Sequence, residues 1–326
     1  MPAGFPDSRP LGSSGIEVSP LSLGSWRTYE RLPAQTGVAI LRAARDAGIN
    51  FFDDARYDDE TGTAPLPTGY SEVLFGELFR GAGLRRDEAV VANKLWWEFW
   101  PEQSAAAELD ASLQRMRFDH VDVIYANAPP AGLTVTDLVA ATAGLVTSGK
   151  ARAWGLVNWP GDLAVQAVEA AAGLGVTPPC AVQLPYSLVR RSWVEDPVMS
   201  RALETSGAGL IASFCLAGGV LTGKYLAGQA EGRAAGTLNE PRVGPAVAAA
   251  GELAALAGRL DTTAAALALA FPFTHPALAS VLFGATSPEQ VRANCAVTGL
   301  LDRLSPADVA QLQRVGLPDG QAPGDP

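Results

Sequence analysis

Eight short apolar runs alternating with helix-forming stretches set the limits on what this chain can become. The runs read LSLGS (21–25), INFFD (49–53), AVVANK (89–94), VDVIYA (121–126), ARAWGLV (151–157), CAVQL (180–184), GLIASF (209–214) and ASVLFG (279–284). Among them stand TGVAILRAARDAG, SEVLFGELFRGAG, QSAAAELDASLQRMR, TVTDLVAATAGLVTSG, DLAVQAVEAAAGLG and SPEQVRANCAVTG, whose apolar residues recur at helical spacing. Nearly continuous apolar strands belong to a sheet buried on both faces, and strand–helix alternation makes that sheet parallel. Eight strands in 326 residues suit closure into an α/β (β/α)8 TIM barrel better than two open sheets. No Pro- or Gly-rich linker halves the series, so one domain is expected over 1–326, with a short N-terminal β-hairpin. Its ordered core should cover roughly 11–315, with a mobile Gly/Ala/Pro-rich loop at 227–245 and a disordered tail at 316–326.

Composition removes several function classes. Hydrophobic residues make up 48% of the chain, ample for a buried core. No stretch approaches the roughly 20 apolar residues a membrane span needs, and MPAGFPDSRP lacks both regions of a secretion signal. A net charge of −10 argues against nucleic acid or an anionic membrane surface as partner. Cys180, Cys215 and Cys295 are far apart and odd in number, giving no disulfide framework and no metal-ligand spacing. A soluble, cytoplasmic protein without metal is expected, its oligomeric state left open. The two histidines, His120 and His275, nearly rule out histidine-pair chemistry.

In such a barrel the chemistry sits where strands end and the next loops begin. Asp53, Asp54, Arg56 and Tyr57 follow the second strand; Lys94 closes the third; Asn127 follows the fourth and Asn158 the fifth. An acid, a lysine and a tyrosine at one mouth can perform proton transfer. Asp53 can pair with Lys94, and the ammonium can pull the Tyr57 phenol toward a usable pKa. Taken singly, each residue is more often a solvated loop residue or a satisfied ion pair. Asp54 has no assigned role, and Arg56 is the cation placed to neutralise it.

Together, LGSSGIEVSPLSLGSW, DAGINFFDDARY, GYSEVLFGELFR, VANK, DHVDVIYANAPP, GKARAWGLVN, AVQLPYSLVRR, GGVLTGKY and LFGATSPEQVRAN resemble the aldo-keto reductase superfamily over almost the whole chain. The resemblance implies a barrel that binds NADPH without a Rossmann fold and passes hydride to a carbonyl. By position it assigns the catalytic aspartate to Asp53, the proton-donating tyrosine to Tyr57 and the lysine to Lys94. The family's histidine position holds Asn127, which can orient a substrate oxygen but cannot titrate. Only three residues separate Asp53 from Tyr57 where the family has four. Tyr57 still ranks above Tyr70, in a turn before the second helix, and Tyr125, a strand residue.

On the cofactor side, the resemblance assigns Asn158 and Gln183 to the nicotinamide carboxamide, with Val157 in place of the usual serine. Ser213 stands where the family places a stacking aromatic, with Phe214 or Tyr186 as substitutes. The amides of Leu216 and Gly218 and the charge of Lys224 fall to the pyrophosphate. Gly284, Thr286, Ser287, Gln290 and Asn294 match adenosine-phosphate positions, beside an ordinary reading of Ser287 as a helix N-cap with Pro288 at the first position. Arg292 is the strong cation of that motif, so NADPH over NADH follows the family habit, with NADH not excluded.

Trp26, Trp96, Trp97 and Trp100 are candidates for the substrate pocket, the last three equally readable as the apolar side of a short helix. Asp58, Asp59 and Glu60 form an acidic stretch that would attract a cationic substrate or simply be solvated. Three functions stay open: an NADPH-dependent reductase of a small-molecule aldehyde or ketone, a reductase of a C=C or C=N bond, and an NADPH-binding regulatory or partner subunit with little turnover.

Overall fold

The structure, a computed structural model, describes residues 8–226, 232 and 234–317. Two short strands, β1 (Arg9–Pro10) and β2 (Glu17–Val18), pair antiparallel, with Arg9 opposite Val18. There follow β3 (Leu21–Gly24), α1 (Ala34–Asp46), β4 (Phe51–Asp53), α2 (Tyr70–Gly81), β5 (Val90–Leu95), α3 (Ala105–Met116), β6 (Val121–Ala126) and α4 (Val135–Thr147). The second half runs β7 (Ala151–Val157), α5 (Gly161–Leu174), β8 (Ala181–Pro185), α6 (Ser192–Glu195), α7 (Pro197–Ser206), β9 (Gly209–Ser213), α8 (Gly244–Arg259), α9 (Ala264–Ala270) and β10 (Leu278–Phe283). Three helices end the described residues: α10 (Pro288–Cys295), α11 (Val297–Leu301) and α12 (Pro306–Arg314).

Strands β3 to β10 form one closed barrel, ordered β10-β3-β4-β5-β6-β7-β8-β9, every neighbouring pair parallel. The eight expected strands are the eight barrel strands, and the expected hairpin lies at the barrel's N-terminal end. There Leu11, Ile16 and Val18 join Phe51, Val90, Ala92, Val123, Tyr125, Ala153 and Ile211 in one buried cluster. The hairpin turn needs a glycine. Gly12 has φ +56, and a Cβ there would stand 2.6 Å from the Cys180 carbonyl oxygen.

Side chains alternate in and out along each strand. Phe52, Val91, Leu95, Val182 and Leu184 face outward into the cluster shared with the helices, whereas Phe51, Ala92 and Ala181 face inward. A step of two residues then puts Asp53, Lys94 and Gln183 on the inner face, one layer nearer the C-terminal mouth. That parity is what gathers the site.

Five helices, α6, α7, α8, α9 and α12, lie wholly outside the stretches read as helical. The half-polar PVMSRALETS becomes α7, its N-terminus capped by Asp196, which accepts from Val198 N and Met199 N, with Pro197 at the first position. The segment 227–245, expected as a mobile loop, falls partly outside the described residues. Within them, Ala235–Thr237 and Pro241–Val243 form 3-10 turns and Gly244–Pro245 opens α8. The tail expectation also lies mostly outside the described residues. Trp97 and Trp100 sit in a turn rather than a short helix, Trp97 at φ 61. No single helix among the described residues is long and apolar enough to cross a membrane.

Candidate active site

Lys94 stands at the centre of the mouth. Its ammonium donates to Asp53 Oδ1, to Tyr57 Oη at 3.2 Å and to the Asp54 carbonyl oxygen at 3.5 Å. Those three acceptors match its three protons. Asp53 completes its own set by accepting from Gln183 Nε2 at 2.9 Å on its other oxygen. Asp53, Lys94 and Gln183 are all buried. Burial by itself would lower the pKa of Lys94, but the Asp53 carboxylate and the contact with Tyr57 outweigh it, and the net shift is upward. A unit charge about 4 Å away is worth about 4 kcal/mol at an effective dielectric near 20, enough for the pair to win.

Tyr57 reaches Lys94 in spite of the shortened spacing because its loop is tightly tied. Asp54 N donates to the Ala92 carbonyl, extending the β4–β5 ladder by one residue. Tyr57 N then donates to the Ala55 carbonyl at 2.9 Å, a turn over a single intervening residue. Ser71 in the first turn of α2 clamps that turn from outside, its hydroxyl donating to Ala55 O at 2.6 Å and accepting from Tyr57 N at 3.2 Å. Gly69 N donates to the Tyr57 carbonyl at 2.8 Å. The pKa of Tyr57 moves opposite to the expectation. Burial raises it, Lys94 pulls it down, and the acids Asp53 and Asp54 add to the upward side, leaving it above its usual value. The phenol therefore holds its proton throughout the neutral range.

Asn127, just past β6, is half-buried, with its Nδ2 donating to the Leu95 carbonyl at 3.0 Å. Tyr125 is buried inside the barrel, its hydroxyl without a hydrogen-bond partner among the described residues, and Tyr70 begins α2. His120 precedes β6 at the opposite end of the barrel, and His275 packs on Tyr186 with ring centroids 5.7 Å apart. Arg56 does not neutralise Asp54: it pairs with Glu98, donates to Thr68 Oγ1 at 2.8 Å and lies over the Phe99 ring. Asp54 accepts instead from the Ser25 hydroxyl.

The tryptophans separate. Trp96 meets the Tyr57 ring edge-on, centroids 6.1 Å apart. Trp97 is buried, its indole N–H on the Asn127 carbonyl at 3.2 Å, and Trp100 packs edge-on against it. Trp97 is thus a core residue with Trp100 half-buried against it, in line with the packing alternative, whereas Trp96 is the one in ring contact with Tyr57. Their turn is held by Glu108 on α3, which accepts from Trp96 N and Trp97 N. Trp26, after β3, is exposed and faces the exposed Phe214, after β9, at 6.2 Å. Two of the three acids of the acidic stretch are engaged: Asp59 accepts from Thr61 N, Thr61 Oγ1 and Ala64 N, and Glu60 lies between Arg27 and Arg31.

Among the proposed cofactor positions, Asn158 is exposed at φ 58, with its N–H on the Gln183 carbonyl at 3.0 Å. Ser213 ends β9, and its carbonyl accepts from Tyr186 N at 2.9 Å. Tyr186 is buried with its hydroxyl on Glu195, which withdraws it as a stacking ring and leaves Phe214. The next segment, from Leu216 through the left-handed Gly218 and Gly219, folds back so that the Leu216 carbonyl accepts from Gly219 N and Leu221 N. A Cβ on Gly219 would stand 3.6 Å from Lys224 Nζ, so that ammonium sits on the glycine turn. At α10, Ser287 caps Gln290 N, while the Gln290 side chain accepts from Thr286 N and Thr286 Oγ1. Gly284 is exposed, Asn294 is buried, and Arg292 is paired with Glu289 at 2.6 Å. A half-buried glycine turn with a lysine on it, a capped helix start and an exposed aromatic at the mouth fit an anionic dinucleotide.

The sequence profile of the Aldo/keto reductase family matches residues 20–316. The chain belongs to the aldo/keto reductase family. Among its relatives, a protein of Oryza sativa subsp. japonica described as a probable voltage-gated potassium channel subunit beta is 32% identical over 320 residues, covering 94% of this chain and 95% of that one. One of the same description from Arabidopsis thaliana is 30% identical over 320 residues, with the same coverage. Membership of the aldo/keto reductase family accounts for the barrel and for a mouth built from the ends of several strands. Sequence reading missed Ser25, Ser71 and Glu108, which hold the site through main-chain and carboxylate contacts. The Ser71 contact was within reach, since GYSE places a serine at a helix start beside the loop.

Proposed function

We propose that this member of the aldo/keto reductase family is an NADPH-dependent oxidoreductase reducing the carbonyl of a small organic substrate. The observation that carries the reading is the continuous chain Gln183–Asp53–Lys94–Tyr57, three of its members buried and its last half-buried beside Trp96. NADPH, when bound, supplies the hydride to the carbonyl carbon. Tyr57 gives its proton to the carbonyl oxygen, and the Lys94 ammonium stabilises the phenolate left behind. Asp53 keeps Lys94 charged and aimed, and Gln183 fixes Asp53. Asn127 orients the substrate with its remaining amide groups, and Trp26, Trp96 and Phe214 line the mouth.

Asn158 and Gln183 would hold the carboxamide, Phe214 the nicotinamide face beside Ser213. Leu216, Gly218 and Lys224 would hold the pyrophosphate, with Gly284, Thr286, Ser287, Gln290 and Asn294 around the adenosine phosphate. Turnover of NADPH with a panel of aldehydes and ketones tests this. Tyr57→Phe should lower kcat by about 10²–10⁴-fold, the usual contribution of a positioned proton donor, while NADPH affinity stays within twofold. Tight NADPH binding without turnover on any carbonyl would sink the reading.

A second reading is favoured by one observation, the description of both relatives as channel subunits. It makes the protein a cofactor-binding partner subunit with little turnover, acting in the cytoplasm. Single-turnover oxidation of bound NADPH separates the two, and a partner role leaves Tyr57→Phe without effect on assembly.

A further inference from the structure

Asp54 is an acid that the proposed chemistry does not use, yet its main-chain carbonyl accepts from Lys94 at 3.5 Å. It is fully buried. Its Oδ1 accepts from the Ser25 hydroxyl, and its Oδ2 has no partner among the described residues. Among the described residues no cation pairs with its carboxylate: Lys94 meets Asp54 through the main-chain carbonyl, and Arg56 pairs with Glu98. The groups facing it from the surrounding elements are Asp53 and Tyr57 on its own segment, Tyr29 from the turn before α1, Glu72 from α2 and Lys94 from β5. Glu72 is itself buried and paired with Arg115, and it accepts from Asn93 Nδ2 at 2.9 Å.

An ionised carboxylate with one oxygen unpaired and no solvent costs more than taking up a proton near neutral pH. Neutralisation is the cheaper state. We propose that Asp54 is an uncharged carboxylic acid in the working protein, a positioning residue that ties the end of β3 to the start of the Tyr57 loop and keeps a second negative charge away from Lys94 and Tyr57. Burial, followed by the repulsion of Glu72, moves the Asp54 pKa in the same direction, well above the usual carboxylate range, against weaker opposing pulls from Ser25, the Ala55 amide and Lys94. The consequence for turnover rests on Tyr57 as proton donor; the protonation state does not. Ionisation of Asp54 at high pH would put a negative charge beside Tyr57, hold its proton more tightly and slow the transfer.

The sign for stability follows from linkage. A carboxyl whose folded pKa lies above its unfolded value of 3.8 favours the fold fully below that value, and the contribution is lost as pH rises through the folded pKa. Infrared difference spectra of the intact protein between wild type and Asp54→Asn should show a protonated-carboxyl C=O band at pH 7 that the variant lacks. The urea midpoint of Asp54→Asn, relative to wild type, should be higher at pH 8 than at pH 5. NADPH-dependent turnover should lose or shift upward its alkaline limb by at least one unit in Asp54→Asn, and Ser25→Ala should shift the limb the same way by removing a bond that favours the anion. An absent band together with a pH-independent midpoint difference would overturn the proposal. So would an alkaline limb identical in all three proteins. If no carbonyl is reduced, the band and the urea midpoints still decide the protonation state, so failure of the proposed activity is read separately.

Discussion

Lys94 is the residue on which the mouth depends, because it is the one cation that Asp53, Tyr57 and the Asp54 carbonyl share. Replacing one partner of a buried ion pair strands the other, which typically costs about 3–5 kcal/mol. Lys94→Met should therefore lower unfolding free energy by about that amount in urea titrations, and Asp53→Asn/Lys94→Met should lose less than the sum of the single changes. An additive double variant would mean that the pair is not coupled. That Asp53, Tyr57 and Lys94 belong together was legible from their places after strand ends. The upward pKa of Tyr57 was not, because it reflects burial beneath Trp96 and the nearby acids rather than Lys94 alone. Nor was the fate of Arg56, whose partners come from loops 12 and 42 residues away.

Two elements set the geometry around that centre. The first turn of α2 supplies Ser71, whose hydroxyl bridges Ala55 O and Tyr57 N and so absorbs the missing residue of the loop. Ser71→Ala leaves a buried carbonyl and amide without that partner, a loss of about 1–3 kcal/mol. A displacement of Tyr57 by about 1 Å would lower kcat roughly a hundredfold, with NADPH affinity nearly constant. Stopped-flow turnover beside fluorescence titration of NADPH checks both. At α10, Arg292 is held by Glu289 three residues earlier in an exposed and therefore weak pair. Glu289→Gln should free Arg292 and raise the preference for NADPH over NADH by about twofold in dissociation constants. A ratio that does not move would remove Arg292 from the phosphate site.

Across the whole molecule the two ends of the barrel divide the labour, with packing at the hairpin end and polar groups at the mouth. Leu11, fully buried in the cluster at the hairpin end, tests this: Leu11→Ala should cost about 2–5 kcal/mol in stability while kcat/KM stays within twofold at a temperature where the variant is folded. A matching loss of activity would show that the ends are coupled. The sequence by itself determined the eight-stranded barrel, because apolar runs without polar alternation can be buried only in a two-sided parallel sheet and their spacing leaves room for crossover helices. It also determined which strand ends carry an acid, a lysine and a tyrosine. Only the tertiary structure decided that Trp97 is buried with Trp100 half-buried against it while Trp96 meets Tyr57, that Glu60 is flanked by two arginines, and that Asp54 is sealed against Ser25. Those outcomes depend on contacts between loops that are distant in sequence. Local periodicity specifies which face a strand residue occupies; it carries no information about which loop comes to lie against it.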